Sequence, residues 1–155
     1  MGKRFPETVI EIISPPFTTD RELRLLEKAL RIRREVFILG QEVDEQIERD
    51  GLDEYLIHFI IHQGRTAAGC LRFHKKPDNS VKLERIAVLA PFRGLGYGKE
   101  LVAAAVEYAK SLGYSTVTMH AQYYLLDYYR ALGFSPVGEP FMEADIRHIG
   151  MVNTV

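Results

Sequence analysis

The stretch Arg93-Gly94-Leu95-Gly96-Tyr97-Gly98-Lys99 decides how this chain is read. A run of strand character, Val81–Leu89, and a proline at position 91 precede it. After it come Leu101, Val102, Ala105, Val106, Ala109 and Leu112, whose spacing marks one face of a helix that Gly113 ends. Glycines let a backbone turn tightly and let a ligand come close. The start of a helix leaves its first N–H groups without intrahelical acceptors, and the helix dipole adds positive charge there. Strand, glycine turn and helix start together make an anion cradle, and a pyrophosphate is its natural occupant.

Other phosphate-binding patterns are tested residue by residue. A Walker A loop needs Gly, four residues, then Gly-Lys-Ser/Thr. Here Gly98-Lys99 is followed by Glu100, and position 93 is Arg. A dinucleotide fingerprint needs a third glycine where Lys99 stands, inside a Rossmann-sized fold that this chain is too short to hold. What remains is Arg-x-x-Gly-x-Gly, met by Arg93, Gly96 and Gly98.

Outward from the loop, the chain alternates in period. Val9–Ile13 reads as a strand, and the Pro-Pro pair at 15 and 16 as a turn. Thr19 or Asp20 caps a helix whose apolar stripe runs through Leu23, Leu26, Leu30 and Phe37 and ends near Gly40. Residues 41–54 are acidic and read as a loop or short irregular helix. Three strands follow, 55–62, 66–74 and 81–89, as an antiparallel meander joined at Gln63-Gly64 and Pro77-Asp78-Asn79. Beyond the central helix, 114–121 is a strand, 125–132 a short helix, 134–138 the start of another strand, and 146–153 a possible last one. The fold class is α+β, a sheet with helices on its faces.

The chain has 155 residues, 46% of them hydrophobic, which is one domain (residues 1–155) with a core of its own. A net charge of −1 gives no basic face for nucleic acid. Arg31, Arg33 and Arg34 alternate with Glu27 and Glu35 and read as a solvated helix face. The single Cys70 permits no internal disulfide and no thiolate zinc site, and its apolar neighbours predict a buried thiol. No His/Asp/Glu cluster has metal-ligand spacing, so no metal is expected. With no signal peptide and no membrane-spanning run, the expected location is cytoplasmic.

The loop does not stand alone. Leu83-Glu84-Arg85-Ile86-Ala87-Val88 precedes it, and Tyr128-Tyr129-Arg130-Ala131-Leu132-Gly133-Phe134 follows, with Gln122 seven residues before Tyr129. In this order the motifs resemble the GNAT superfamily of acetyl-CoA-dependent N-acetyltransferases. Arg31–Gln41, Asp50-Gly51-Leu52-Asp53-Glu54 and His148-Ile149-Gly150-Met151 also look like its small bacterial ElaA/YjcF-like branch. Two departures from that branch bear on the acceptor. Gly40 precedes Gln41 where Glu is usual, and Glu143-Ala144-Asp145-Ile146-Arg147-His148 stands where Glu-Asp-Gly-Ile-Pro-His is usual.

The resemblance implies a mixed central β-sheet with a V-shaped splay between its central strands and helices on both faces. It implies that the backbone of Ile86, Ala87 and Val88 pairs with the pantetheine arm of acetyl-CoA. The N–H groups of Arg93, Gly94, Leu95, Gly96, Tyr97, Gly98 and Lys99 then hold the pyrophosphate, and Gln122 and Tyr129 lie beside the cofactor. Arg93 either adds charge there or points into solvent. Tyr129 is the expected proton donor to the departing thiolate. Glu84 is the expected general base, placed by period-two alternation on the same side as Ile86 and Val88, with an ion pair to Arg72 or Arg85 as its competing reading, and His120 is the other candidate for that role. Arg72, His120 and His148, with His58 and His74 beside them, are candidates for the acceptor end. The expected reaction acetylates an amine of a small molecule or peptide by direct attack in a ternary complex. A non-catalytic acyl-CoA-binding or sensing module is the alternative. A larger acyl group, with room set around Leu125 and Phe141, is a third reading. By analogy with the superfamily a homodimer is possible, with no nucleic-acid or membrane partner.

Overall fold

Strands β2 (Ile57–Gln63), β3 (Thr66–Lys75) and β4 (Ser80–Val88) form the meander that the turn residues predict. The turns are made by residues that tolerate a left-handed backbone, Gly64 at φ 59° and Asn79 at φ 65°. The computed structural model describes residues 7–155; the first six residues of the single expected domain lie outside them. Strand β1 (Thr8–Ile13) adds to β2 antiparallel. Helix α3 (Tyr97–Ser111) carries the chain across to β5 (Thr116–Gln122), which pairs parallel with β4. The β6 (Ser135–Glu143) and β7 (Ile146–Thr154) hairpin then completes a seven-stranded mixed sheet in the order β1-β2-β3-β4-β5-β7-β6. The expected last strand is present, and β6 runs well past the 134–138 segment read from sequence.

Helix α1 (Asp20–Arg33) starts where expected. Thr19 and Glu22 cap each other's backbone N–H groups in a reciprocal box. The helix runs on through a π-helical stretch, Arg34–Leu39, to Gly40. Its buried face is Leu25, Leu26, Ala29, Ile32 and Val36, while Leu23 is 51% exposed, so the stripe is rotated from the one expected. The extra residue of a π-turn shifts the facing side chains that follow it. A short helix, α2 (Glu45–Glu48), lies in the acidic segment, and α4 (Leu126–Ala131) follows β5.

Each face of the sheet has its own core. On one, α3 lays Leu101, Val102, Ala105 and Ala109 on Phe59, Leu71, Phe73, Val81, Leu83, Val117 and Met119. The rings of Phe59, Phe73 and Tyr108 meet there with centroids 5.3–5.8 Å apart. On the other, α1 covers Ile13, Ile60, Cys70 and Ala87. Cys70 is buried, as its neighbours predict, and burial raises its thiol to about 12, so it is an inert small hydrophobe.

Gly69 on β3 lets β4 approach. A Cβ there would stand 2.9 Å from the Ala87 carbonyl oxygen and 3.3 Å from Leu101 Cδ1. Gly69→Val is expected to cost about 1–3 kcal/mol through overpacking, read as a lower urea midpoint. An unchanged midpoint would show that β4 moves aside freely.

Candidate active site

Strands β4 and β5 are paired only from Ser80↔Thr116 to Leu83↔Met119. Beyond that rung Glu84–Val88 and His120–Gln122 diverge, and the backbone of each loses its partner on the inner side. This is the expected splay. A cleft of about 650 Å³ fills it.

The β4 arm carries a bulge. Cys70 faces Ala87 and Arg72 faces Glu84, so Leu71 alone opposes both Arg85 and Ile86. Arg85 takes the left-handed conformation at φ 54°, a region that costs a side-chain-bearing residue roughly 1–2 kcal/mol. The bulge breaks the alternation. Ile86 and Val88 pack with Leu83 on the α3 face, whereas Glu84 joins Arg72 and His74 on the α1 face. The expectation that Glu84 shares a side with Ile86 and Val88 is therefore overturned by one inserted residue.

A buried ion network holds the bulge. Arg33 is 1% exposed, not solvated as the charge pattern suggested, because it follows Ala29 by one turn on the packed face. Its guanidinium donates to Glu48 Oε1 at 2.9 Å and Asp53 Oδ1 at 2.6 Å. Arg72 grips Asp50 with two bonds of 2.9 and 2.7 Å, reaches Asp53 at 3.0 Å and lies 3.4 Å from Glu84. Arg85 lies 2.9 Å from Glu48 and donates to the carbonyls of Ile47 and Glu48. Burial pushes the Asp50 carboxyl up, but the bonds from Arg72 and from the Leu52 N–H outweigh it and hold it at about 2. Asp53 is lowered in the same way, with Arg33 and Arg72 overcoming burial. Glu84 is lowered too: burial opposes, and Arg72 and His74 prevail. Lys82 lies 3.8 Å away on its other side.

The cradle has the expected form from Gly94 onward, but the Arg93 N–H, expected to be part of it, closes the preceding turn on the Ala90 carbonyl at 3.3 Å. Gly94 and Gly96 take φ of 79° and 83°, and Gly96 caps α3. The N–H groups from Gly94 to Lys99 find no acceptor among the described residues. Arg93 is exposed, yet its side chain folds back onto the strand. It lines the cleft and donates to the Val88 carbonyl at 3.1 Å. Gly98 also lines the cleft, and a Cβ there would stand 3.0 Å from Tyr128 Oη. Tyr97 is buried, its hydroxyl accepting from Gln63, and Lys99 lies on the flank between α3 and α4.

Tyr129 enters the cleft from α4 and is 6% exposed. Burial first, then Tyr128 and Tyr124, push its phenol above the usual value, so it stays a proton donor. No partner bonds its hydroxyl among the described residues. Gln122, at the end of β5, exchanges two hydrogen bonds of 2.9 and 3.3 Å with Gln41 across the cleft.

The remaining candidates separate. Arg72 lies behind the cleft wall, fully buried, not at the acceptor end. His58 is buried and donates to the Asp53 carbonyl, and His74 is bonded to Glu84. His120 and His148 do line the cleft, together with Glu143. Sequence reading missed Glu143, Gln41 and the acids Glu48, Asp50 and Asp53. The one signal for the acids was their concentration in a short segment beside arginines on an otherwise apolar face.

The splayed sheet, the N–H cradle and the tyrosine at its side define an acyl-CoA-type transferase fold, and comparison with known proteins agrees. The family model described as the acetyltransferase (GNAT) domain matches residues 24–155. The uncharacterized protein YyaT of Bacillus subtilis is 35% identical over 84% of this chain and 89% of its own length. YjcF of the same organism, named an uncharacterized N-acetyltransferase, is 32% identical over 82% of this chain and 91% of its own. The crystal structure of Escherichia coli ElaA superposes with a TM-score of 0.82 at 25% identity, covering 95% of this chain and 99% of that one. The chain belongs to the GNAT acetyltransferase family and is similar to its small bacterial members.

Removing Asp53 leaves Arg33 and Arg72 buried and short of charge. Asp53→Asn is expected to cost about 3–5 kcal/mol at neutral pH. Because these carboxyls are lowered in the folded chain, their contribution is complete above the unfolded carboxylate range. It is lost as pH falls from about 4 toward about 2. Urea midpoints across that range test both statements, and a wild-type midpoint that is flat there would contradict the second.

Proposed function

We propose that this chain moves an acetyl group from acetyl-CoA to a primary amine of a small molecule or peptide, by direct attack in a ternary complex. The observation that carries the reading is the shape of the splay. One continuous cleft joins Arg93 and Gly98 of the cradle and Tyr129 on the α3 side to His120, Gln122, Glu143 and His148 on the α1 side. A donor and an acceptor entering from opposite faces meet there without either leaving the protein.

The residues divide the work by position. The orphan N–H groups from Gly94 to Lys99 suit a pyrophosphate, and the left-handed glycines keep side chains out of its way. The inner edge of Ile86–Val88, freed by the splay, offers backbone groups to the amides of a pantetheine arm. Arg93 closes the last of those carbonyls, at Val88, and ties the loop to the strand. Tyr129 is placed to give a proton to the thiolate as the C–S bond breaks. Gln122 presents an amide at the junction. Glu84 is kept ionised by Arg72 and Lys82, and we assign it to holding the β4 wall.

The direct test mixes the protein with acetyl-CoA and a panel of primary amines and follows free thiol. Amine-dependent release supports the transferase. Binding of acetyl-CoA with no release on a broad panel would support an acyl-CoA sensor instead. Tyr129→Phe should lower kcat by about 10²-fold or more with unchanged acetyl-CoA affinity; wild-type turnover would take Tyr129 out of the mechanism. Gly96→Glu places a carboxylate and a strained backbone in the cradle and should abolish acetyl-CoA binding by calorimetry. Retained affinity would mean that the pyrophosphate binds elsewhere.

A further inference from the structure

The acceptor half of the cleft contains several carboxylates, and all but one are matched by fixed cations. Glu48 is bound by Arg33 and Arg85, Asp50 by Arg72 and Arg85, and Glu84 by Arg72 with Lys82 nearby. Glu143, at the end of β6, is different. Its ion partners among the described residues are two imidazoles: His120 Nδ1 lies 3.0 Å from Oε1, and His148 Nε2 lies 3.7 Å from Oε2. His148 already donates from Nδ1 to the Ile146 carbonyl at 2.7 Å. In its neutral form its Nε2 therefore carries no proton and cannot cancel the Glu143 charge. Among the described residues the cleft thus holds one carboxylate, 44% exposed, with no fixed cation within ion-pair distance, Lys82 acting on it only from farther away.

His120 sits on β5 just past the last β4–β5 rung, on the α1 side of the splay. Its ring is 40% exposed and stands edge-on to Phe141, with centroids 4.9 Å apart. Glu143 fixes the proton on Nδ1, which leaves Nε2 as the free acceptor; no protein group bonds it among the described residues. This is the orienting logic by which a carboxylate sets the tautomer and direction of a basic imidazole. The charged and titratable groups that line the cleft with it are Lys82, Glu84 and Arg85 from β4, Glu48 and Asp50 from the 41–55 segment, Arg93 from the glycine loop, Tyr124, Tyr128 and Tyr129 from the segment after β5, Glu143 from β6 and His148 from β7. Val43, Ile47 and Ile146 supply apolar wall around them.

We propose that His120, oriented by Glu143, takes the proton from an alkylammonium acceptor, and that Glu143 is the carboxylate that draws this cation into the cleft. The assignment rests on the transferase reading above. One proton passes from the ammonium to His120 Nε2 and on to solvent, which frees the nitrogen lone pair. The C–N bond then forms and the C–S bond breaks. The second nitrogen proton passes to solvent as the amide forms, and the coenzyme sulfur takes the Tyr129 hydroxyl proton and leaves as a thiol, Tyr129 regaining a proton from solvent. Glu143 is a positioning residue. Glu84, neutralised by arginine and lysine, has no part in the proton's path.

The test follows histidine ring nitrogens by ¹⁵N NMR through a pH titration, with His120→Gln to assign the signal, alongside thiol-release kinetics. Wild-type His120 should appear as the Nδ1–H tautomer. Glu143→Gln should populate the Nε2–H tautomer as well, because a glutamine amide can turn its NH₂ toward Nδ1 as readily as its oxygen. The kcat/KM for an alkylamine should fall with it. His120→Gln should lower kcat/KM about 10²- to 10⁴-fold, with the acetyl-CoA Kd unchanged. An arylamine, already neutral at this pH, should lose less to either substitution. A His120 tautomer that ignores Glu143→Gln, or a His120→Gln variant that keeps its rate, overturns the proposal. Equal losses for both amines overturn the alkylammonium assignment. Failure of the wild type to acetylate any amine, despite binding acetyl-CoA, would instead bring down the transferase reading and this assignment with it. It is seen before any variant is made.

Discussion

The left-handed backbone of Arg85, clamped by its own guanidinium, is the constraint on which the rest of the cleft depends. A strand that keeps strict alternation cannot send Glu84 to one face and Ile86 to the other. Insertion of one residue opposite Leu71 does so. It also bends β4 away from β5 just past their last shared rung. The conformation is unfavourable for a residue with a Cβ, so something must hold it. That role falls to Glu48, Asp50 and the carbonyls of Ile47 and Glu48, all from the segment that crosses over the sheet. The acidic segment and the bulge thus specify each other.

The ion network is better understood as a specifier of geometry than as a store of stability. Moving several charges out of water is costly, and a well-packed apolar cluster of equal volume often does as well. What apolar side chains cannot do is fix direction. The two-pronged grip of Arg72 on Asp50, and the sharing of Asp53 between Arg33 and Arg72, tie α1, the 41–55 segment, β3 and β4 at fixed angles. The same arginines neutralise Glu48, Asp50 and Glu84. The negative charge left free at the acceptor end is therefore placed across the splay, on β6, rather than on the strand that faces the cofactor.

What could be read from the sequence was what is local. The glycine cradle, the caps of α1, the hairpin turns and the order of strands all follow from neighbours a few residues apart, and the motifs around Arg93 and Tyr129 carried the family. The errors arose where contacts span the chain. Arg33 was read as solvated because charge alternation along α1 is visible, whereas its partners Glu48 and Asp53 lie beyond two turns in another segment. Glu84 was placed by period-two logic that one bulge defeats, and nothing in Leu83–Val88 marks a left-handed residue, since Arg85 is neither Gly nor Asn. The ion pair of Arg72 with Glu84 is the other reading the sequence offers for Glu84, and it forms, but nothing local shows that Asp50 and Asp53 enclose Arg72 as well. In the sequence Glu143 stands out only as part of a stretch that departs from a family pattern. Its meeting with His120 depends on the β6–β7 and β5–β7 registers together.

The two halves of the cleft lie on opposite faces of one sheet, and this limits how the site can work. A closed sheet would keep them apart by a full layer of side chains. The splay removes that layer only between Glu84–Val88 and His120–Gln122, so a donor lying on the α3 side and an acceptor on the α1 side can touch nowhere else. The Gln41–Gln122 amide pair spans that same gap, from the crossing segment to the end of β5. Paired amides have both a donor and an acceptor to offer once they part, which suits a thioester carbonyl on one side and an entering nitrogen on the other. In the proposed reaction, alignment of the reactants is then a property of where the strands part, and proton transfer would fall to the side chains that line each arm, Tyr129 on the α3 side and His120 on the α1 side.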